Sequence, residues 1–527
     1  MLYPNFEIKY AKTLAFIRGL WSNLFRCSVD YGMGGRTMVN HAKTPLFTAV
    51  KQYINDGVIP FHVPGHKQGR ALAEFKDYVG ERVLAMDLTC LPGLDNICNP
   101  RDVIKEAEAL AAAAYGAEQA FFLVNGTTFG IQAMLLAVCR PGDKIIIPRN
   151  AHRSALGGLI LSGARPVYVE PELNPDYGIS MGVTAEAVER ALREHPDAKA
   201  VFIVSPNYYG TVPPLKEIVA VAHRHGVPVL VDEAHGAHLK FHPDLPLSAM
   251  EAGADLAAVS THKLAGSMTQ SSILLAQGDR VSHRHLKAAL NLAQTTSPSY
   301  LLLASLDVAR KQMALKGREL LETTLAISRW IREQLTRIEG LSIMGEEVKA
   351  YPGCVALDPT KITVNVQGLG LSGYEMETIL RQEYKIQVEL SDLYNVLLLI
   401  SIGDDWQMAR QLVAACRDIA GRRSLKNIVR FCPPLPAIPR MAVLPRAAFY
   451  GQTSTLELDC AEGEISAESI TAYPPGIPLV CPGEVITREI IDYIKLLKKE
   501  QADLQGPEDP ELNTIRVLKG TVSIIER

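Results

Sequence analysis

Between residues 102 and 260, segments of helical periodicity alternate with short apolar runs of strand length, and that order leaves few folds open. Helices are expected over 102–115, 127–138, 152–162, 185–194 and 215–225, and strands over 120–124, 144–148, 166–170, 200–204, 228–232 and 256–260. Several strands, such as Ala200-Val201-Phe202-Ile203-Val204, are apolar at every position rather than every second one. That is the pattern of a sheet covered on both faces, which helices accomplish when the strands run parallel. The expected class is α/β, with a mostly parallel sheet and helices on both faces.

A helical stretch over 300–339 without internal proline leads out of this region into a smaller α/β unit with strands at 361–366 and 396–401 and helices at 372–384 and 404–421. Pro433, Pro434, Pro436, Pro439 and Pro445 then mark a boundary, and the remainder reads as a C-terminal α+β domain. The expected division is an N-terminal extension (1–43), a large domain with its N-terminal segment (44–330), a small α/β domain (331–430) and a C-terminal domain (431–527). Lys12, Arg18 and Arg26 interrupt the apolar stretches near the start, so no secretory signal is read there. The first residues are expected to be dispensable, with Met38 as the true start.

With 527 residues, 47% of them hydrophobic and 21% charged, the chain is expected to fold into several packed units. A net charge of −3 supplies no basic footprint for nucleic acid or an anionic membrane, and no apolar run is long enough to span a bilayer. The nine cysteines form no C-x-x-C pair, so neither a disulfide framework nor a metal site is expected, and a cytoplasmic protein with a small-molecule partner is.

Chemistry-bearing residues recur at expected strand ends, which in open parallel sheets face the ligand crevice. Asn125-Gly126-Thr127-Thr128 lies between a strand and a helix, where free N–H groups and hydroxyls suit a phosphate; the same residues would also serve as an ordinary helix cap. Asp232 ends an apolar strand and needs a cationic partner unless it is solvated or caps a helix. Lys263, just past another strand end in Ser260-Thr261-His262-Lys263, can be desolvated toward the neutral amine that attacks an aldehyde, although most lysines are surface charges. His152 follows a third strand, where its imidazole could stack on a ring or simply begin a helix. A phosphate cradle, a carboxylate and an amine, in that order along one sheet, match the needs of pyridoxal phosphate.

At these residues the sequence resembles the fold-type I, aspartate aminotransferase-like pyridoxal-phosphate enzymes, and more narrowly the bacterial ornithine/lysine/arginine decarboxylase family. The narrower resemblance rests on Phe61-His62-Val63-Pro64-Gly65-His66-Lys67, Asp87-Leu88-Thr89 with Leu91-Pro92-Gly93-Leu94-Asp95, Ser260-Thr261-His262-Lys263, Thr295-Thr296-Ser297-Pro298 and Tyr473-Pro474-Pro475-Gly476-Ile477-Pro478, spanning about residues 44–487. It implies Lys263 as the Schiff-base residue, Asp232 as partner of the pyridine nitrogen and His152 as the ring-stacking residue. Gly126, Thr127, Ser260 and His262 would surround the phosphate, and Ala234 would join the cofactor contacts. Thr295 or Thr296 would reach the phosphate of a neighbouring subunit, which implies at least a homodimer with shared sites. His262 or Lys263 would return a proton to the substrate after carbon dioxide leaves.

For the distal cation of the substrate, Asp95 and Glu484 are the candidates, either of which could equally be a structural loop carboxylate. The chain is more similar to the short biosynthetic arginine decarboxylases than to the larger acid-induced members with an additional N-terminal wing, so conversion of arginine to agmatine for polyamine synthesis is the implied reaction. Lysine or ornithine as substrate, another fold-type I activity such as an aminotransferase or α-oxoamine synthase, and a degenerate regulatory homologue are the alternatives.

Overall fold

The apolar runs of the first half assemble into one seven-stranded sheet. In the computed structural model, which describes residues 39–423, 436–473, 477–500 and 502–520, its strands are β1 (Gln119–Leu123), β2 (Lys144–Pro148), β3 (Arg165–Val169), β4 (Ala200–Val204), β5 (Val229–Asp232), β6 (Leu256–Val259) and β7 (Ser272–Ala276). They lie in the order β1-β7-β6-β5-β4-β2-β3. β2 to β6 pair in parallel, whereas β7 runs antiparallel to both β1 and β6. The alternation read from the sequence contains no strand at 272–276. This one follows β6 without a crossover helix, so it has no place in a strictly alternating scheme.

The helices used below are α1 (Pro45–Asn55), α2 (Val103–Tyr115), α3 (Gly126–Val138), α4 (Arg153–Ser162), α5 (Ala185–Glu194), α6 (Leu215–Arg224), α7 (Thr261–Leu264), α8 (His283–Ala293) and α9 (Tyr300–Thr336). Because successive strand residues point to opposite faces, each strand feeds two cores. Val201, Ile203, Val229, Val231, Ala257 and Val259 pack with residues of α1, α2, α5, α6 and the first part of α9. Ala200, Phe202, Leu230, Leu256 and Ala258 pack with α3, α4 and α8. This two-sided burial is why the strands are apolar throughout.

α9 holds two further roles. Its buried Asp307 and Arg310 form an ion pair at 2.7 Å, and Asp307 accepts the N–H groups of Leu46 and Phe47 at the start of α1 while Arg310 donates to the carbonyls of His41 and Lys43. Its last turns, through Ile327, Ile331 and Leu335, enter a separate core. That core covers a four-stranded antiparallel sheet of β8 (Ser342–Ile343), β9 (Lys361–Asn365), β10 (Leu390–Ser391) and β11 (Asn395–Leu399), in the order β8-β9-β11-β10. Helices α10 (Gly373–Tyr384) and α11 (Trp406–Gly421) complete it, started by a Ser372/Glu375 capping box and by the Asp405 side chain.

Further along, β12 (Thr453–Glu457) pairs with β16 (Thr514–Leu518), and β13 (Ile470–Tyr473) lies between β14 (Ile477–Val480) and β15 (Asp503–Gln505). The apolar face of α12 (Arg488–Lys499), led by Ile490, Ile491, Ile494 and Leu497, closes their core. The proposed start at Met38, and Pro433, Pro434, Pro474 and Pro475, lie outside the described residues. Among the described residues no helix is long and apolar enough to cross a membrane.

Candidate active site

Parallel strands deliver their carboxyl ends to one edge of the sheet, and a cavity of about 370 Å³ opens there. Asn125, Gly126, Thr127, His152, Asp232, Ala234, Ser260, His262 and Lys263 all line it. The cofactor-site residues singled out in the sequence therefore meet in one place, apart from Thr295 and Thr296. Those two do not line the cavity of their own chain; Thr295 Oγ1 accepts the Ser297 N–H at 3.1 Å, and Thr296 is exposed.

After β1 the chain turns at Gly126, whose φ of +76° is a left-handed conformation that glycine adopts without strain. The turn starts α3 with its first N–H groups unpaired within the helix. Behind them, Thr127 Oγ1 lies 2.5 Å from Ser260 Oγ and 2.7 Å from Ser272 Oγ, tying the starts of α3, α7 and β7 together. β7 reaches this edge with its first residue because it alone runs the other way.

Asp232, at the end of β5, is 4% exposed and accepts the Ala234 N–H at 3.1 Å. Burial pushes its carboxyl pKa up to about 6, opposed by that N–H and by the charge of Lys263. The neighbouring Glu233 faces inward and caps the Ala249 N–H, and burial raises it to about 8. His152 is the N-cap of α4. Its Nδ1 accepts the Ser154 N–H at 3.2 Å, and burial, with Lys263 and Arg153, lowers its pKa to about 4, so the ring is neutral at physiological pH.

Lys263 projects from α7 with its Nζ 5.2 Å from the centroid of the Tyr208 ring. Burial lowers its pKa, while Asp232 and Glu389 act to raise it. His262 Nδ1 lies 2.8 Å from the Ser271 carbonyl. A carbonyl only accepts, so Nδ1 carries the proton and a neutral ring leaves Nε2 as the acceptor.

The site also contains groups that sequence reasoning passed over. Lys263 Nζ sits 2.8 Å from His235 Nε2, and Lys361 Nζ sits 2.8 Å from His235 Nδ1. The His235 ring packs against Tyr208 with centroids 4.5 Å apart. His235 was within reach of the sequence, since it lies three residues past Asp232 in the same turn. Lys361 was not, because it comes from β9 on the other sheet.

The expectations for the distal cation need correction. Both carboxylate oxygens of Glu484 are engaged by Arg149, at 2.5 and 2.9 Å, and one also accepts the Cys481 N–H. With 0% exposure it is sealed inside the protein and has no oxygen open to a substrate. The Asp95 carboxylate accepts N–H groups of Asn96, Arg101, Asp102 and Ile104, which hold the loop before α2 and lower its pKa against the effect of burial. It does not line the cavity either.

Comparison with known proteins bears on what such a site does. A family model described as the major domain of Orn/Lys/Arg decarboxylase matches residues 44–408, and one for the C-terminal domain of the same family matches residues 434–512. This chain belongs to the Orn/Lys/Arg decarboxylase family. Arginine decarboxylase of Bacillus subtilis (strain 168) is 47% identical over 480 residues, covering 90% of this chain and 98% of that protein. Arginine decarboxylase of Bacillus anthracis is 45% identical over 480 residues, covering 90% of this chain and 97% of that protein. Among solved structures, the lysine decarboxylase LdcF of Francisella novicida superposes with a TM-score of 0.79 at 22% identity, covering 90% of this chain and 81% of that one. The decarboxylase family and the mostly parallel α/β fold expected from the sequence are both established by these matches.

Proposed function

We propose that this decarboxylase converts L-arginine to agmatine and carbon dioxide with pyridoxal phosphate as cofactor, supplying agmatine for polyamine synthesis. The reading is carried by one observation: an amine, a carboxylate and a helix N-terminus with clustered hydroxyls, each at a different strand end, line a single cavity. The relatives of 44–47% identity named arginine decarboxylase support arginine as the substrate.

The residues present fit the cofactor. The first turn of α3, Gly126 and the Thr127, Ser260 and Ser272 hydroxyls suit its phosphate, Asp232 its ring nitrogen, His152 its ring face and Lys263 its aldehyde. When bound, it supplies an aldehyde that links to the substrate amine and a ring that takes up the electron pair left by the departing carboxylate. Asp232 holds a proton on the ring nitrogen, a task suited to a buried carboxylate with few competing donors. His262, neutral with its proton committed to the Ser271 carbonyl, is a poor acid. That leaves Lys263 as the better source of the proton returned to the substrate carbon.

Asp232 is the sole carboxylate among the described residues that line the cavity, so the distal guanidinium needs another partner. Glu389 is exposed, and its charge reaches Lys263, His262 and Lys361. Glu389 does not itself line the cavity, but its charge acts on Lys263 and His262 at the cavity wall, and on that ground we propose it for the substrate's distal cation. Glu389→Gln should raise KM for arginine by about tenfold, the scale of losing a charge-assisted hydrogen bond; an unchanged KM removes the assignment.

We also infer a homodimer. Ile59, Phe61, Val63, Phe75 and Tyr78 are all more than half exposed, Phe61 by 95%, within one short stretch of chain. Clustered large apolar side chains of this kind are typical of surfaces that a partner covers. Thr295 and Thr296, outside their own chain's cavity, are then available to the partner's.

The test of function is product analysis by mass spectrometry with arginine, lysine and ornithine offered together at equal concentration. Agmatine is expected to dominate. Cadaverine or putrescine as the main amine overturns the substrate, and no amine without added pyridoxal phosphate but full turnover with another cofactor overturns the chemistry.

A further inference from the structure

Lys361 is fully buried, yet nothing in the proposed reaction so far uses it. Its aliphatic stem crosses Gly210, whose φ is +90° and where a Cβ would stand only 3.2 Å from Lys361 Cβ and 3.3 Å from its Cδ. The glycine thus leaves a slot that lets the side chain reach from the start of β9 to the back of His235. There the two lysines bracket one imidazole, each Nζ 2.8 Å from a different ring nitrogen.

Proton counting constrains this trio. A neutral imidazole offers one N–H and one lone pair. His235 is buried between two basic groups, and its burial and both lysines disfavour the imidazolium. With a neutral ring, one lysine must donate to it and the other must accept from it, and an amine accepts only in its uncharged form. Two arrangements satisfy both contacts. Either Lys361 is the ammonium and donates to Nδ1 while Nε2–H points at the amine of Lys263, or the roles are reversed. Two ammonium groups would leave an N–H facing an N–H.

We propose that Lys361 is the proton partner of Lys263, the two sharing one ammonium charge through His235. The exchange is balanced: as Lys263 passes a proton to Nε2, Nδ1 passes one to Lys361 Nζ, and the reverse shift restores the first state. Only N–H bonds break and form, and the net charge does not change. The surrounding charges favour neither end alone, since Asp232 and Glu389 act on Lys263, whereas Asp358, itself bonded to His238 and Thr360, acts on Lys361 together with a weaker influence of Glu389. Positive charge on His152 or His238 would further disfavour the His235 imidazolium. Lys361 is a positioning residue that acts through His235. The proposal rests on the reading of Lys263 as the cofactor lysine, and it explains how a buried lysine can be a free amine when it must attack and an ammonium when it must give a proton back.

The full-length chain, stripped of cofactor, can be pulsed with acetic anhydride across a range of pH, with acetylation of the Lys263 peptide measured against that of the exposed Lys105. Lys361→Met should move the Lys263 midpoint upward by about one pH unit, or about tenfold less labelling near neutral pH. Lys361→Arg, a cation that cannot release its proton, should move it downward. A residue needed only for packing would shift both variants alike or neither, and either result overturns the proposal. If Lys361→Met does not fold, His235→Gln removes the bridge and should raise the midpoint; an unmoved midpoint there also overturns it. Borohydride trapping of pyridoxal phosphate separates the two readings. No adduct on Lys263 removes the cofactor assignment, whereas an adduct together with coincident midpoints removes the relay alone.

Discussion

Asp232 illustrates how burial makes a group useful. A carboxylate in water would hold its proton weakly, but here few donors compete for its oxygens. Asp232→Ala is expected to lower kcat by more than about a hundredfold, as removal of a buried electrostatic partner does, while circular dichroism stays that of the parent. Retention of full activity would falsify the role. His152 carries a pH signature. Its pKa in the folded chain, about 4, lies below the ordinary 6.5, so as pH falls the unfolded chain binds the proton first. The stability that the neutral ring contributes is complete above pH 6.5 and is lost between 6.5 and 4. Urea unfolding of His152→Phe should therefore lose less stability than the parent between pH 7 and pH 5, and equal losses would count against the assignment. These residues were legible in the sequence because each sits at the end of an apolar strand, and strand ends of one sheet share an edge. Glu484 was misread for the opposite reason. Its partner Arg149 lies 335 positions away, and no local pattern shows that a carboxylate has already been matched.

At the scale of elements, helix periodicity and strand composition located most of the large sheet, and the long helix ends within a few residues of its expected limit. β7 escaped because four apolar residues after a serine, preceded by a helix of a single turn, resemble any buried segment. The packing of α3 depends on Gly130, where a Cβ would stand 2.7 Å from Leu123 Cδ1 and 3.3 Å from Ala258 Cβ. Gly130→Ala should force the helix away from the sheet at a cost of about 1–3 kcal/mol. Because the same helix starts at Gly126, the variant should also bind pyridoxal phosphate more weakly. Thermal unfolding and a cofactor titration measure the two effects, and an unchanged melting temperature would show that the helix has room to spare.

Across the whole molecule, the exposed apolar stretch around Phe61 predicts self-association. Phe61→Asp should shift the mass measured by light scattering from two chains toward one, with activity falling in step if sites are shared; a parent that is already monomeric ends the inference. Relations at this scale were the least legible, since neither the Lys361 contact nor the N-terminal anchor on Arg310 leaves a mark in local sequence. The long helix α9 carries a last consequence. It lends its first turns to one core and its last to another, and the ion pair of Asp307 and Arg310 sits within the first half. Neither core can melt without stripping the helix of half its cover, and a helix so exposed has little reason to persist. Heat should therefore dissolve residues 41–421 in a single calorimetric transition, and the amide protons near Leu325 and Ile327, where the cores hand over, should be among the last to exchange with solvent.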